Sequence, residues 1–192
     1  MPSGFSEVLA FWFGEPDSPG FGGEHARWFA KDEAFDAAIR ERFGSTIGAA
    51  LAGRLQAWLD APHCALAFVI VLDQFTRNAF RGTPSAFSGD ARALAAARLI
   101  VERGWDAALL PVQRWFCYLP FEHSEAIADQ HESLRLFGAL RGDPVAGRAY
   151  EWALRHHEVI ARFGRFPHRN EILGRASSAQ EIEFLKQPGS RF

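Results

Sequence analysis

Two carboxylates flank a histidine in the segment PFEHSE, where Glu122 and Glu125 are three positions apart with His123 between them. Crowding of two carboxylates raises the pKa of one of them, and histidine titrates near neutral pH. These residue types predict general acid and base chemistry, with Glu122, His123 and Glu125 as the candidate catalytic residues. The spacing also fits the first turn of a helix, where acidic side chains stabilise the helix dipole. Spacing alone favours this second interpretation.

A second polar group follows the most apolar part of the sequence, in the segment DQFTRNAFR. Asp73, Arg77 and Arg81 are spaced by four and would share one helical face, with Gln74 and Asn78 beside them. On an exposed helix they would form a ladder of weak ion pairs. The apolar residues before Asp73 instead predict a helix buried all round, whose polar end meets other parts of the protein. A structural ion-pair network and a binding site both stay open at this point.

A third polar group lies near the C-terminus, in the segment RFGRFPHRNEILGR. Arg165, Arg169 and Arg175 carry forked guanidinium groups, which suit carboxylate or phosphate. Gly164 and Gly174 would let the backbone approach a ligand closely. The arginines could equally pair with the acidic residues of the other two segments. Loops with many fixed polar groups are common positions for binding sites, so the two interpretations are compatible.

Other chemistries have less support from spacing. His131, His156 or His157 could join the two glutamates in a metal site, but the Glu-x-x-His pairs of di-iron proteins and the His-x-x-x-His motif are missing. We therefore predict no metal ligands and no cofactor. Ser124 lacks the Gly-x-Ser-x-Gly nucleophile elbow of a catalytic triad. His156 falls on the apolar face of its helix, which is typical of a hydrogen-bonded core histidine.

The composition excludes several classes of protein. The chain has 192 residues, 48% of them hydrophobic, and a formal net charge of -2. This length predicts a single domain over residues 1–192, and the charge argues against bulk binding to nucleic acid or to an anionic membrane. Cys64 and Cys117 lie in apolar runs and should be buried thiols, as in a reducing cytosol. The N-terminus lacks the basic residues of a signal peptide, and no apolar run could span a bilayer, so we expect a soluble, cytoplasmic protein.

The segments that must position these polar groups have the periodicity of helices. Asp32 should cap a short helix that ends near Gly44. Pro62 should begin a second helix that continues to the breaker RGTP, and a third should run from about Asp90 to Val101. Together these segments predict a helical N-terminal half.

The second half continues the helical pattern. Pro111 and Pro120 should each lie in the first turn of a helix. The most amphipathic helix follows the breaker RGDP and should end at Gly164, and Ser178 and Glu181 have the spacing of a capping box for a last short helix. One segment, FVIVLD, could instead be a buried parallel strand that presents a carboxylate at its end. No second segment of this kind occurs, so we interpret it as a buried helix and predict an all-α fold.

The motifs VLAFWFG, LDQFTRNAFRGT, YLPFEHSE with a downstream Gln, and RFGRFPHRNEILGR occur in this order along nearly the whole chain. In this combination the sequence resembles the bacterial family named domain of unknown function 924. The resemblance implies an all-helical, single-domain array related to tetratricopeptide-repeat-like superhelices, and it assigns no reaction. This chain has Thr76 where the family often has proline.

The resemblance also implies which polar positions characterise the family. They fall on Asp73, Gln74, Arg77, Asn78, Arg81, Glu122, His123, Ser124, Glu125, Gln130, His156, Arg165, His168, Arg169, Asn170 and Arg175. Apart from Ser124 and the three candidate catalytic residues, we interpret these as ligand-binding residues.

These observations lead to two functional hypotheses. In the first, the three polar segments converge on one pocket that binds a small or peptide-borne anion, and His123 with Glu125 supplies proton transfer if there is a reaction. In the second, the protein is a non-enzymatic, tetratricopeptide-like adaptor whose groove receives a protein or peptide partner. Neither hypothesis includes bulk nucleic-acid binding or a membrane.

Overall fold

A computed structural model describes residues 4–191, and within that range the fold is all-α, without a strand. Short 3-10 turns connect the longer helices. The helices are α1 (Phe5–Phe13), α2 (Glu33–Leu51), α3 (Pro62–Val69), a π-helical segment (Ile70–Phe75), α4 (Thr76–Ala79), α5 (Asp90–Glu102), α6 (Pro111–Glu122), α7 (Ile127–Gly138), α8 (Ala149–Phe163) and α9 (Ala179–Phe184).

The centre of the core is the continuous helical run from Pro62 to Ala79, which comprises α3, the π-helical segment and α4. Every residue from Cys64 to Phe75 is buried, as expected for a helix that is apolar on all sides. Helices α1, α2, α5 and α6 pack around this run. The interpretation of FVIVLD as a buried helix is therefore confirmed.

The first buried polar residues of this helical run, Asp73 and Gln74, lie inside the π-helical segment. The Leu72 carbonyl accepts a hydrogen bond from the Thr76 hydroxyl at 2.7 Å. The backbone of Gly89 also approaches this carbonyl so closely that a Cβ atom at position 89 would lie 2.1 Å from its oxygen. Only glycine fits there, and this contact joins the start of α5 to the segment that carries Asp73. Single-turn π-bulges of this kind often occur at functional sites.

Two predicted boundaries are wrong. Helix α2 does not stop near Gly44 but continues to Leu51, because burial of Ile47 and Ala50 against the core outweighs the low helix propensity of glycine. Pro120 is not in a first turn but inside the last turn of α6, which ends at Glu122. Glu122 and His123 therefore lie at a helix C-terminus, and the interpretation of PFEHSE as a helix first turn is incorrect.

Other predicted boundaries are confirmed. The Asp32 side chain accepts hydrogen bonds from the first amides of α2, at 2.9 and 3.2 Å. Gly164 ends α8 with φ of 67°, in the left-handed region that favours glycine. Ser178 and Glu181 form the capping box of α9. These local signals were readable because each depends on only three or four neighbouring residues.

The two cysteines and the apolar helices were also subjects of sequence predictions. Cys64 and Cys117 are both buried thiols. Among residues 4–191, no helix combines the length and the apolar character that a membrane crossing requires.

Candidate functional site

Polar residues from three helix ends and turns lie close together. Asp73 and Arg77 lie where the π-helical segment passes into α4, His123 follows the last residue of α6, and Arg169 ends the short turn after α8. We call the resulting group the polar cluster. Its members are Asp73, Arg77, Asp90, Glu122, His123, His156 and Arg169.

Asp73 and His123 form a buried pair in the polar cluster. The Asp73 carboxylate is fully buried, and its Oδ1 lies 2.8 Å from Nδ1 of His123. Gln74 donates to the other oxygen at 2.7 Å, and Arg77 lies 3.2 Å from Oδ1. Burial would raise the pKa of Asp73, but the charge of Arg77 and the contacts with His123 outweigh it and lower the pKa. Burial, together with the positive charge of Arg77, lowers the pKa of His123.

Asp90 joins two arginines of the polar cluster. Arg77 donates to both of its carboxylate oxygens, at 2.9 and 3.2 Å. Arg169 reaches the same carboxylate only at 3.4 Å. The sequence indicated Asp90 as the start of a helix but gave no sign that it belongs to the site, because its partners are 13 and 79 positions away.

Arg169 is a buried cation with few hydrogen bonds. Its guanidinium carbon lies 4.8 Å from the ring centre of Phe87 and 4.6 Å from that of Phe166. Its side chain is 8% exposed, and Nε has no hydrogen-bond partner among residues 4–191. Burial and the neighbouring charge of Arg77 lower the pKa of Arg169 to about 10. Arg77 and Arg169 therefore share the Asp90 carboxylate, and Arg77 makes the shorter contacts with it.

Glu122 and His156 lie at the opposite, inner side of the polar cluster. Oε1 of Glu122 is 3.2 Å from Nδ1 of His156, which is also 2.9 Å from the Trp152 carbonyl oxygen. Oε2 of Glu122 is buried and has no hydrogen-bond partner in the described part of the chain. Burial, with the nearby charge of Asp73, raises the pKa of Glu122 well above its usual value. Burial, with the neighbouring His123, lowers the pKa of His156 well below its usual value.

Gln130 fixes the turn that carries His123. From α7, its side-chain amide donates to the carbonyl oxygens of Glu122 and Ser124, both at 2.7 Å. The Ser124 hydroxyl donates to Asp129 at 2.7 Å, so the serine is engaged with a carboxylate of α7 rather than with a histidine. Gln130 is thus a positioning residue that holds the end of α6 through its backbone.

Glu125 pairs with Arg175 of the third polar segment, which is one of the pairings that the sequence left open. Its carboxylate accepts two hydrogen bonds from Arg175, at 2.7 and 2.9 Å, and one from the Phe166 amide at 2.8 Å. Burial would raise the pKa of Glu125, but the hydrogen bonds from Arg175 and from the Phe166 amide lower it. The histidine that was expected to work with Glu125 is instead hydrogen-bonded to Asp73.

The C-terminal loop contains further polar contacts. Arg175 also donates to the Asn170 side chain at 2.9 Å. Arg165 donates twice to Glu181 of α9, at 2.6 and 2.8 Å. The ring of His168 lies 5.6 Å from that of Phe166, and burial together with the charge of Arg169 lowers its pKa to about 3. We call the Glu125–Arg175 and Arg165–Glu181 pairs the C-terminal braces.

Asn78 and Arg81 are directed away from the polar cluster. Both bind Asp36 of α2: Asn78 at 2.7 Å and Arg81 at 2.6 and 2.9 Å. The predicted ladder of residues spaced by four is therefore divided between two partners. The π-helical segment changes the helical register at Asp73, and α4 ends at Ala79, before Arg81. Asp36 gave no sequence signal because its partners are more than 40 positions away.

Two grooves open on the surface, and none of the predicted site residues lines either of them. The larger, about 490 Å³, runs along α1 and α2 beside Phe11 and Arg42. The smaller, about 290 Å³, lies between α5 and α7 beside Arg98 and Asp129. The polar cluster is instead closely packed, and it reaches solvent through the partly exposed side chains of Arg77 and Asp90.

Comparisons with known proteins agree with this description of the fold. The family model described as "Bacterial protein of unknown function (DUF924)" matches residues 8–189. The solved structure of a protein of unknown function, ATU0120 from Agrobacterium tumefaciens, is 37% identical in sequence and has a TM-score of 0.83. The similarity covers 95% of this chain and 96% of that one. No curated protein matches the chain.

Proposed function

Because the chain belongs to the DUF924 family of bacterial proteins, whose function is unknown, we propose a function from the geometry of its polar cluster. The protein binds a small anion, or an anionic group carried by a peptide, at Arg77 and Arg169. A carboxylate or phosphate is the class of ligand that fits two guanidinium groups.

The observation that carries this proposal is the incomplete pairing of Arg169. A guanidinium group has five N–H donors, and within residues 4–191 this one makes a single long contact, with a carboxylate already bound by Arg77. A buried charge without full compensation is costly to the folded state. An added anionic oxygen would offset that cost. The Phe87 and Phe166 rings, on which the guanidinium packs, would hold the guanidinium in place.

The surroundings of Arg169 support the same ligand class. The cluster lies at the first residue of α5, whose N-terminus carries the positive end of the helix dipole and has no side-chain cap. The side chains of Arg77 and Asp90 are 19% and 26% exposed, so an anion can approach from this rim. Because the chain as a whole has a net charge of -2, the positive charge that would attract an anion is confined to these arginines and their surroundings.

Inorganic phosphate is the first probe, with pyrophosphate and succinate as larger alternatives. We expect phosphate to raise the melting temperature of the wild-type protein at low ionic strength, relative to chloride of equal ionic strength. Arg169→Met should abolish this increase. The matched control is Arg155→Met, which removes an exposed arginine of α8 and the same unit of charge.

Two results would count against the anion site. One is that none of the three anions stabilises the wild-type protein more than chloride does. The other is that Arg169→Met and Arg155→Met reduce the stabilisation equally, which would indicate non-specific screening. Calorimetric titration with phosphate, done on the folded variants, gives the stoichiometry independently of melting.

A second candidate function rests on the groove of about 490 Å³ along α1 and α2. Phe11 and Arg42 line this groove, with the Arg42 guanidinium 4.8 Å from the Phe11 ring centre. A peptide with an aromatic and an acidic side chain would suit it, as in an adaptor. Arg42→Glu should then abolish binding of such a peptide, whereas Arg169→Met should leave it unchanged. Proton transfer by Glu122, His123 and Glu125 stays a prediction.

A further inference from the structure

From the arrangement of two buried side chains and a partly buried one, we propose that Glu122, His123 and His156 form a site for one divalent transition-metal ion. One possible ligand atom from each residue lies within 4.8 Å of those from the other two. Metal–nitrogen and metal–oxygen bonds of about 2.0–2.2 Å would bring these atoms together with movements below about 1 Å. The proposal goes beyond the anion site and does not depend on it.

The two histidines are held as metal-binding histidines usually are. His123 presents Nδ1 to the Asp73 carboxylate at 2.8 Å, and His156 presents Nδ1 to the Trp152 carbonyl oxygen at 2.9 Å. Because a carbonyl and an ionised carboxylate only accept, each Nδ1 must be the donor, and the lone pair lies on Nε2. Metal-ligating histidines almost always donate their other ring N–H to such an oxygen, which fixes the ring and the tautomer.

Glu122 supplies the second, independent observation. It is 2% exposed, and its Oε2 has no hydrogen-bond partner among residues 4–191. Buried charged groups in proteins are generally paired or coordinate a metal. No arginine or lysine of the described chain forms an ion pair with Glu122; its one such contact is with His156. A divalent cation would supply the missing partner.

The ligand set indicates the class of metal. Two imidazoles and one carboxylate, without thiolate, suit zinc, iron(II) or manganese(II), and three protein ligands leave coordination positions for water or another ligand. The sequence predicted no metal because its histidines and glutamates lack the spacing of known metal-binding motifs. Glu122 and His123 come from the end of α6 and His156 from the middle of α8, 33 positions further on, so no short motif could contain all three.

The experiment uses the full-length, untagged chain, because a histidine tag would add ligands. Protein from cells grown with added zinc, iron and manganese is analysed by elemental mass spectrometry after gel filtration. We expect about one equivalent of a single metal per chain in the wild type. Glu122→Gln and His156→Gln should each retain less than about a tenth of that amount.

The matched control is His157→Gln. His157 and His131 form a second histidine pair, with ring centres 5.3 Å apart. Neither residue belongs to the proposed metal site. This variant should keep the full metal content. Metal loss in His157→Gln but not in Glu122→Gln would indicate that His131 and His157 bind the metal, and it would overturn the proposal.

A cobalt(II) titration of chelator-treated wild-type protein keeps the proposal testable even where a variant does not fold. We expect visible d–d bands that saturate at about one equivalent, without a thiolate charge-transfer band, because neither cysteine belongs to the site. Absence of bound metal after purification, together with no saturable cobalt spectrum, would overturn the proposal. Glu122 would then be a neutral buried acid beside His156. Phosphate is omitted throughout, so a negative result here leaves the anion test unaffected.

Discussion

The C-terminal braces and the polar cluster are neighbouring groups of charged residues that differ in how completely their charges are paired. Glu125 accepts three hydrogen bonds although its side chain is 29% exposed. Arg169 is only 8% exposed, yet it has one long contact. In the braces the partners match in number and geometry, whereas in the cluster Nε of Arg169 and Oε2 of Glu122 are buried without a hydrogen-bond partner among residues 4–191. Exposure alone therefore does not separate structural ion pairs from a candidate site, but hydrogen-bond satisfaction does.

The largest effect should come from a satisfied pair outside the cluster. Asp36 is 1% exposed and accepts three hydrogen bonds from Asn78 and Arg81. Asp36→Ala should lower the free energy of unfolding by about 2–3 kcal/mol, because it leaves the buried Asn78 amide and the partly exposed Arg81 guanidinium without their acceptor. Urea unfolding monitored by circular dichroism measures this. A loss below about 1 kcal/mol would contradict the view that satisfied pairs carry stability.

The next effect concerns the C-terminal braces. Glu125→Ala should lower the free energy of unfolding by about 2 kcal/mol, since Arg175 and the Phe166 amide lose a charged acceptor. The same urea experiment applies. Glu158→Ala, at an exposed position of α8, is the control and should change the free energy by less than about 0.5 kcal/mol. Equal losses of unfolding free energy in the two variants would show that the Glu125–Arg175 pair has no structural role.

Acid should weaken the second brace. The hydrogen bonds from Arg165 lower the pKa of Glu181 from 4.5 to about 2. A carboxyl group with a lowered pKa contributes stability above its unfolded pKa and loses it as the pH falls, here between pH 4.5 and pH 2. Near neutral pH, the urea midpoint of the wild type should therefore exceed that of Glu181→Gln. The loss of unfolding free energy in Glu181→Gln should be smaller than that in Glu125→Ala. The midpoints of the wild type and Glu181→Gln should converge as the pH falls towards 2. A constant difference over this pH range would refute the assignment.

The smallest effect should occur at the most buried cation. Arg169→Met should change the free energy of unfolding by less than about 1 kcal/mol, because a hydrophobic side chain of similar length replaces an incompletely compensated charge and Arg77 still pairs with Asp90. If burial alone determined the effect, Arg169→Met would lower the free energy of unfolding more than Glu125→Ala does. Unfolding of both variants under identical conditions decides between the two orders.

The sequence predicted the class of fold and the polar segments better than it predicted their pairing. Caps such as Asp32 and Gly164 act over a few residues, so they could be read locally. Pro120 inside α6 could not, because tertiary packing overrides the usual preference of proline for a first turn. Asp36 and Asp90 were missed for another reason. Each becomes a partner only when distant helices pack, and nothing in the neighbouring sequence signals that contact.

Gly89 sets a limit on how the sequence of this protein can vary. Its backbone contact with the Leu72 carbonyl fixes the separation between the main-chain positions of Asp73 and Asp90, which follow these two residues in the sequence. We expect the intervening segment, residues 80–88, to accept insertions without displacing either acid. Replacement of Gly89 itself, even by alanine, should separate the two acids, so tolerance to mutation should change abruptly at the end of that segment.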